Sequence, residues 1–216
     1  ERPRPQQRRN MTKHAIRRFA VVAAVALLPV ISTSLPASAA KGDGNGPDVN
    51  AQPVAKLKKG GTFVWAINNI PDNFNTSTID GNTADTSYIM GATQPGYFLV
   101  DKTGALVVDK NYASKVELTS KKPQVVTYTL NPKAEWSDGK PVGLADFVGM
   151  WKANNGTNEA YESVSTTGYE DILSVKAGKA KNQVVVTFKN IYADWQGLFG
   201  GLLPASITAT PEAFNK

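Results

Sequence analysis

The spacing of apolar residues in the second half of the chain predicts strands that bury one face. The stretch QVVTYTL alternates, with Val126, Tyr128 and Leu130 on one side and β-branched or polar residues between them. Alternation with a period of two is typical of a half-buried strand. The stretch NQVVVTF repeats this pattern through Val184 and Phe188, and a Lys- and Gly-rich turn before it predicts a hairpin with the preceding strand.

The stretch AEWSDGKPVGLADFVGMWKA predicts a strand end, a tight turn and an amphipathic helix. Asp138 and Gly139 form a typical turn pair. Four apolar residues then recur at helical spacing: Leu144, Phe147, Val148 and Trp151. Asp146 falls in the first helical turn, where a carboxylate is favoured by unpaired backbone N–H groups, and Trp136 is placed to cover the apolar stripe. We therefore assign Asp138, Gly139 and Asp146 to folding and not to chemistry.

Shorter patterns complete a predicted mixed fold of the α/β (α+β) class. The run TFVWAIN at residues 62–68 predicts a buried strand with Trp65 in the core, like Trp136. A short helix follows, with Thr83 or Asp85 as its cap, and GYFLVDKTGALVV predicts two extended segments around a tight turn. DWQGLFGGLLPAS reads as a short helical or irregular apolar segment, and a last helix is predicted to open at Thr210.

The first 61 residues indicate export and a tether. We treat residues 1–10 as an extension. Residues 11–40 combine a basic start, an apolar run and a small-residue exit, which is the pattern of a secretory signal peptide cleaved after Ala39 or Ala40. An uncleaved membrane anchor is the alternative. Residues 41–61 are polar and rich in Gly, Pro and Asn, which predicts a flexible linker, so the folded part is expected at 62–216.

Charge and residue types exclude several functions. All six arginines lie at or before Arg18, and residues 41–216 contain 17 lysines and 17 acidic residues. The basic excess therefore belongs to the leader, and we expect no nucleic-acid partner. The chain has no cysteine, and its one histidine, His14, lies in the leader. A histidine-dependent triad and a cysteine- or histidine-ligated zinc site are excluded for residues 41–216.

The series of motifs resembles one family of binding proteins. AEWSDGKPVGLADFVGMW is similar to the signature corner of extracytoplasmic solute-binding proteins of family 5, the oligopeptide, dipeptide and nickel class of ATP-driven importers. VTYTLNPKAEWSDG and YEDILSVKAGKAKNQVVVTF agree with the family in order, and the resemblance covers residues 60–216. Two local departures are Gly143, where the family usually has Thr or Ser, and the missing lipidation cysteine.

This resemblance implies the amino-terminal part of a two-lobe fold, the type II periplasmic-binding-protein-like architecture. Family members are more than twice as long, so the chain reads as a truncated lobe. The implied function is capture of peptides or a similar small solute outside the cytoplasm, for delivery to an ABC permease in the membrane. The expected protein is a monomer without a cofactor or metal, and it is not an enzyme.

Two other classes stay open. A secreted relative that no longer transports could act as a binding or regulatory partner in cell-envelope assembly. A hydrolase that uses two carboxylates is the last candidate, because it needs two acids facing one pocket and the sequence supplies no clear pair.

Three ligand-binding residues follow from the resemblance. FNTSTIDGN places Asp80 and Asn82 in the loop that meets the ligand, where a carboxylate could pair with a peptide's amino terminus. Tyr161 falls near the position of the family's cleft tyrosine. The alternatives are that Asp80 belongs to a surface turn and that Tyr161 packs in the core or on the surface.

Overall fold

The computed structural model describes residues 53–94, 96–101 and 103–216. The predicted extension, the signal peptide with its cleavage site and the linker up to residue 52 lie outside the described residues. Within the part of the chain that is described, no helix is both long enough and apolar enough to cross a membrane.

The described residues form two antiparallel sheets. In chain order the strands are β1 (Phe98–Val100), β2 (Leu106–Val108), β3 (Ala113–Lys121), β4 (Gln124–Leu130), β5 (Ile172–Ala177) and β6 (Gln183–Phe188). β1 and β2 form the predicted hairpin, and the other four strands form one sheet in the order β3-β4-β6-β5. All pairings between these strands are antiparallel.

The helices begin where the sequence predicts. They are α1 (Ala84–Met90), α2 (Leu144–Asn154) and α3 (Pro211–Phe214). The Thr83 hydroxyl accepts a hydrogen bond from the Thr86 N–H at the start of α1, and the Thr210 hydroxyl does the same for Ala213 at α3. Two 3-10 turns, Val54–Lys56 and Trp195–Gly197, complete the regular structure. The mixed α and β class is confirmed.

The alternating strands build the core as predicted. Six side chains from β4 and β6 are buried on one face of the sheet: Val126, Tyr128, Leu130, Val184, Val186 and Phe188. The register places Val126 opposite Val186 and Tyr128 opposite Val184, so the buried residues of the two strands lie side by side on the same face of the sheet. The intervening residues of both strands are half-buried on the other face. Burial of a continuous apolar face is the main force that holds such a sheet together.

Helix α2 covers this face with an aromatic centre. The ring of Phe147 lies 5.1 Å from that of Tyr128, 5.4 Å from that of Tyr97 and 4.8 Å from that of Phe199, centroid to centroid. These are the separations at which aromatic pairs attract each other. The buried line of α2 runs through Phe147, Met150 and Ala153. Of the predicted stripe, Phe147 is fully buried, and the other three members pack around the edge of the core: Leu144, Val148 and Trp151.

The corner before α2 is held by Asp146, as assigned. One of its carboxylate oxygens accepts hydrogen bonds from the Gly143 N–H, at 2.8 Å, and from the Trp136 indole N–H, at 3.2 Å. The other oxygen accepts from the Ala205 N–H at 2.7 Å. Trp136 is half-buried and packs against the core. One buried carboxylate therefore holds together the helix start, the turn that contains Trp136 and a distant loop.

The predicted strand at residues 62–68 is wrong. This stretch forms no strand, its side chains are exposed, and Trp65 is 60% exposed instead of lying in the core. Among the described aromatic residues, the ring of Trp65 contacts those of Phe63 and Tyr88, with both centroid distances at 5.7 Å. A strand forms only when its backbone N–H and C=O groups find a partner, and none of the described strands pairs with this segment.

Candidate functional site

The loop that precedes α1 is built from its own side-chain hydrogen bonds. Asn73 Oδ1 accepts from the Asn75 N–H at 2.9 Å and from the Thr78 hydroxyl at 3.2 Å. Thr78 Oγ1 in turn accepts from the Gly81 N–H at 3.1 Å. Asn and Thr commonly form such local bonds in turns. The three residues that form these bonds are buried: Asn73, Asn75 and Thr78. Buried hydrogen bonds therefore stabilise the conformation of the loop.

Gly81 is required at the tightest point of this loop. A Cβ atom there would lie 2.1 Å from the Asn75 carbonyl oxygen and 2.2 Å from Asn73 Oδ1. Contacts that short do not occur between real atoms, so a larger residue would force the loop open. The Asp-Gly pair therefore serves a close backbone approach, which a simple surface turn would not need.

The loop is also attached to segments far along the chain. The Ile79 N–H donates to the Glu162 carbonyl at 3.1 Å, and the Val164 N–H donates to the Ser77 carbonyl at 2.9 Å. The side-chain amide of Asn75 donates to the Phe214 carbonyl at 2.7 Å. The loop of residues 73–83, the segment after α2 and helix α3 thus form one hydrogen-bonded unit.

Asp80 and Asn82 lie on the outer side of this unit. Both side chains are exposed, and neither forms a side-chain hydrogen bond or ion pair with the residues that the structure describes. Ile79, beside Asp80, is also exposed. A rigid loop thus presents a free carboxylate, a free amide and an apolar side chain at neighbouring positions.

Tyr161 lies on the segment to which the loop is attached. Its ring packs against Phe214 at 5.3 Å, and its hydroxyl donates to the Thr208 carbonyl at 2.9 Å. The side chain is half-buried. The structure therefore brings the three predicted residues to the same unit, but the hydroxyl of Tyr161 is already used in a bond that stabilises the fold.

A second feature lies in the segment that the sequence predicts to be short helical or irregular. It is the turn at Phe199–Gly200–Gly201, in which Phe199 is buried and Gly200 is exposed. Phe199 has φ of 60°, which a non-glycine residue rarely adopts. Such backbone strain is found preferentially at functional sites. Gly200 lines two cavities, of about 530 Å³ and 350 Å³. The sequence signal was present in FGG, a bulky residue followed by two glycines.

Three tyrosines in or beside the core have raised pKa values. Burial raises the pKa of Tyr169 to about 12, although its hydroxyl accepts a hydrogen bond from the Phe199 N–H at 2.9 Å. Burial also raises the pKa of Tyr97 and Tyr128 above the ordinary value. These phenols stay neutral in the folded protein at ordinary pH.

The arrangement is suited to non-covalent binding. Within the described ranges, no three His, Asp or Glu side chains lie together in a way that could hold a metal ion. The exposed groups at the loop are a carboxylate, an amide and an aliphatic side chain, which bind through charge, hydrogen bonds and apolar contact.

Comparisons with known proteins identify the same class of protein. The family model described as bacterial extracellular solute-binding proteins, family 5 Middle, matches residues 108–216, just over half of the chain. Oligopeptide-binding protein OppA of Mycobacterium tuberculosis (strain ATCC 25618 / H37Rv) is 46% identical over 176 residues, which are 80% of this chain and 30% of that protein. The probable monoacyl phosphatidylinositol tetramannoside-binding protein LpqW of the same strain is 34% identical over 100 residues, 46% of this chain and 15% of that protein.

A solved structure agrees with these sequence relatives. The periplasmic EDTA-binding protein EppA superposes with a TM-score of 0.58 at 30% identity, over 62% of this chain and 25% of that one. The chain thus spans about 30% of the length of the OppA relatives it matches. The predicted relation to family 5 solute-binding proteins is confirmed, and the chain covers only part of the length of these relatives, as predicted.

Proposed function

Because the chain belongs to the bacterial extracellular solute-binding proteins of family 5, we propose that it is part of the peptide-capturing component of an ABC importer. It acts outside the cytoplasm and delivers its ligand to a membrane permease. The observation that carries this proposal is the 46% identity to an oligopeptide-binding protein.

The loop geometry supports a role for Asp80 and Asn82. Both side chains are exposed on a loop that its own buried hydrogen bonds hold in place, so little ordering is lost when a ligand binds. The Asp80 carboxylate pairs with the ammonium of a peptide, and the Asn82 amide bonds to the peptide backbone. The hydroxyl of Tyr161 already donates to the Thr208 carbonyl. Its contribution to the same surface is therefore limited to the edge of its ring.

Calorimetry with mixed di- to pentapeptides tests this function. We expect micromolar binding by the complete gene product. The 216-residue chain alone is expected to bind weakly or not at all, because a single wall cannot bury most of a ligand's surface. Asp80→Asn removes the charge and should weaken binding by about tenfold or more. Glu159→Gln, a matched change at an exposed acid, should stay within about twofold. Absence of peptide binding to the complete gene product would overturn the proposal.

A second candidate function is supported by the similarity to LpqW, which is named as a probable binding protein for a mannosylated lipid. In that case the chain is a non-transporting binding or regulatory partner in cell-envelope assembly. The two candidates differ in ligand class, so the same titration with a mannose-bearing glycolipid separates them. Binding of the glycolipid without binding of any peptide would favour the second.

A further inference from the structure

The larger cavity beside Gly200 has the features of a binding site of its own. It lies between the end of α1, the β1–β2 hairpin and the turn at Gly200–Gly201, with a volume of about 530 Å³. That volume lies within the range of small-molecule sites in proteins. Neither Asp80, Asn82 nor Tyr161 lines it, so it is separate from the ligand surface proposed above.

One wall of the cavity contains a buried carboxylate with spare capacity. Asp109 is only 8% exposed, and one of its oxygens accepts from the Asn111 N–H at 2.9 Å. Its other oxygen receives no hydrogen bond from the residues that the structure describes. The ammonium of neighbouring Lys110 is directed away, to the Ser114 carbonyl. Asp109 is the charged residue among the described lining residues, so the cavity attracts a cation.

Another wall contains a buried hydrogen-bond donor without a partner. The side-chain nitrogen of Gln94 is buried and bonds to no other described group. A buried donor left without a partner costs free energy, on the order of 1–3 kcal/mol. Native proteins rarely keep such a group unless a ligand, water or ion satisfies it.

Glycine at position 201 leaves room beside the amide of Gln94. Gly201 has φ of 70°, and a Cβ atom there would lie 3.1 Å from Gln94 Oε1 and 3.7 Å from Thr76 Oγ1. A larger residue would press on the amide of Gln94 and reduce the cavity. Together with the strained Phe199, this turn is held in a conformation that lets the backbone approach the cavity closely.

We propose that this cavity binds a small ligand that carries both a primary ammonium group and a hydrogen-bond acceptor. The ammonium pairs with the free oxygen of Asp109, and the acceptor satisfies the buried nitrogen of Gln94. A carbonyl in an amino-acid amide and a hydroxyl in an amino sugar both provide this chemistry. Phe98, Tyr112 and Met90 supply the apolar part of the lining.

Four probes test this chemistry by NMR titration of the protein, with the side-chain amide signals of Gln94 as the reporter. Glycinamide and glucosamine carry both groups, whereas acetamide and glucose lack the ammonium. We expect the first two to shift the Gln94 signals and to bind at least tenfold more tightly than the last two. The tighter of glycinamide and glucosamine identifies the source of the natural ligand. Equal binding of probes with and without the ammonium would overturn the proposal.

Two variants locate the contacts. Asp109→Asn keeps an acceptor for the Asn111 N–H but removes the charge, and it should weaken glycinamide binding about tenfold or more. Gln94→Met removes the donor at similar volume and should weaken it about threefold to tenfold. Glu159→Gln is the control and should change nothing. Unchanged affinity in Asp109→Asn would contradict the proposal.

The four-probe comparison on the unaltered protein decides the question even if a variant fails to fold. Failure of the peptide function would leave these results unaffected, because the reporter Gln94 lines this cavity and Asp80 and Asn82 do not.

Discussion

Two apolar regions of this protein have similar compositions but differ in burial. Strands β4 and β6 bury their valines and aromatic residues against α2. The segment at residues 62–68 is just as rich in β-branched and aromatic residues, yet Phe63 is 81% exposed and pairs with no described strand. It is held to α1 by the Asp85 carboxylate, which accepts from the N–H groups of Asn68 and Asn69 at 3.2 and 2.9 Å.

The difference shows that apolar composition specifies the ability to form a strand, while pairing depends on a partner in the right place. β4 lies between β3 and β6 and is satisfied on both edges. An exposed apolar segment with unpaired backbone groups is a typical docking surface for another chain segment. The contrast between the two regions leads to four predictions.

The largest expected effect is at the centre of the core. Phe147→Ala removes a fully buried ring that contacts three other rings, and it should lower the free energy of unfolding by about 3–5 kcal/mol. Phe63→Ala, the matched change in the exposed segment, should alter it by less than about 0.5 kcal/mol. Urea denaturation of both variants measures the difference, and similar losses would contradict the comparison.

Alkaline pH should weaken the core and spare the exposed segment. Burial raises the pKa of Tyr169 to about 12, whereas the unfolded value is near 10. Its contribution is therefore complete below pH 10 and lost as the pH rises from 10 to 12. At pH 11 the loss from Tyr169 is about 1 kcal/mol of unfolding free energy. The pKa values of Tyr97 and Tyr128 are also raised, so these residues act in the same direction.

Denaturation at pH 9 and pH 11, with phenolate absorbance as a second signal, checks this result. Tyr169→Phe should reduce the pH dependence, and Tyr88→Phe, at an exposed tyrosine of the segment's contact, should not. A stability that does not change between the two pH values would refute the assignment of these phenols to a dry core.

A single substitution should detach the exposed segment from α1. Asp85→Ala removes both acceptors for Asn68 and Asn69, so the segment should separate from α1 with a local cost of about 1 kcal/mol. Cleavage by trypsin after Lys58 or Lys59 should become several-fold faster. Thr83→Ser, which keeps the helix cap, is the control, and equal cleavage rates would show that Asp85 does not hold the segment.

The smallest effect is expected at the start of α2. Gly143 is extended, with φ of −160°, its N–H donates to Asp146, and a Cβ there would meet open space. Glycine has no side-chain acceptor, so only one half of the capping arrangement exists. Gly143→Ser should supply the other half and raise the free energy of unfolding by a few tenths of a kcal/mol. Thermal unfolding measures it, and a loss of stability would contradict this reading of the cap.

Sequence reasoning predicted the parts of the fold whose causes are local. The alternation in β4, the caps at Thr83 and Thr210, and the corner at Asp146 each depend on residues within a few positions. It failed for Trp65, because the absence of a partner strand is not visible in a local pattern. For the site, the resemblance implied Asp80 and Asn82. The roles proposed for Asp109 and Gln94 depend on residues that meet only in the folded chain.

The bond from the Asn75 amide to the Phe214 carbonyl joins positions 139 residues apart. Closing so long a stretch has an entropic cost that only the surrounding assembled structure can offset. The loop at Asp80 can therefore take its final form only once the chain as far as α3 is available to fold. A chain that stops short of α3 would carry a complete sheet and an unfinished loop at Asp80.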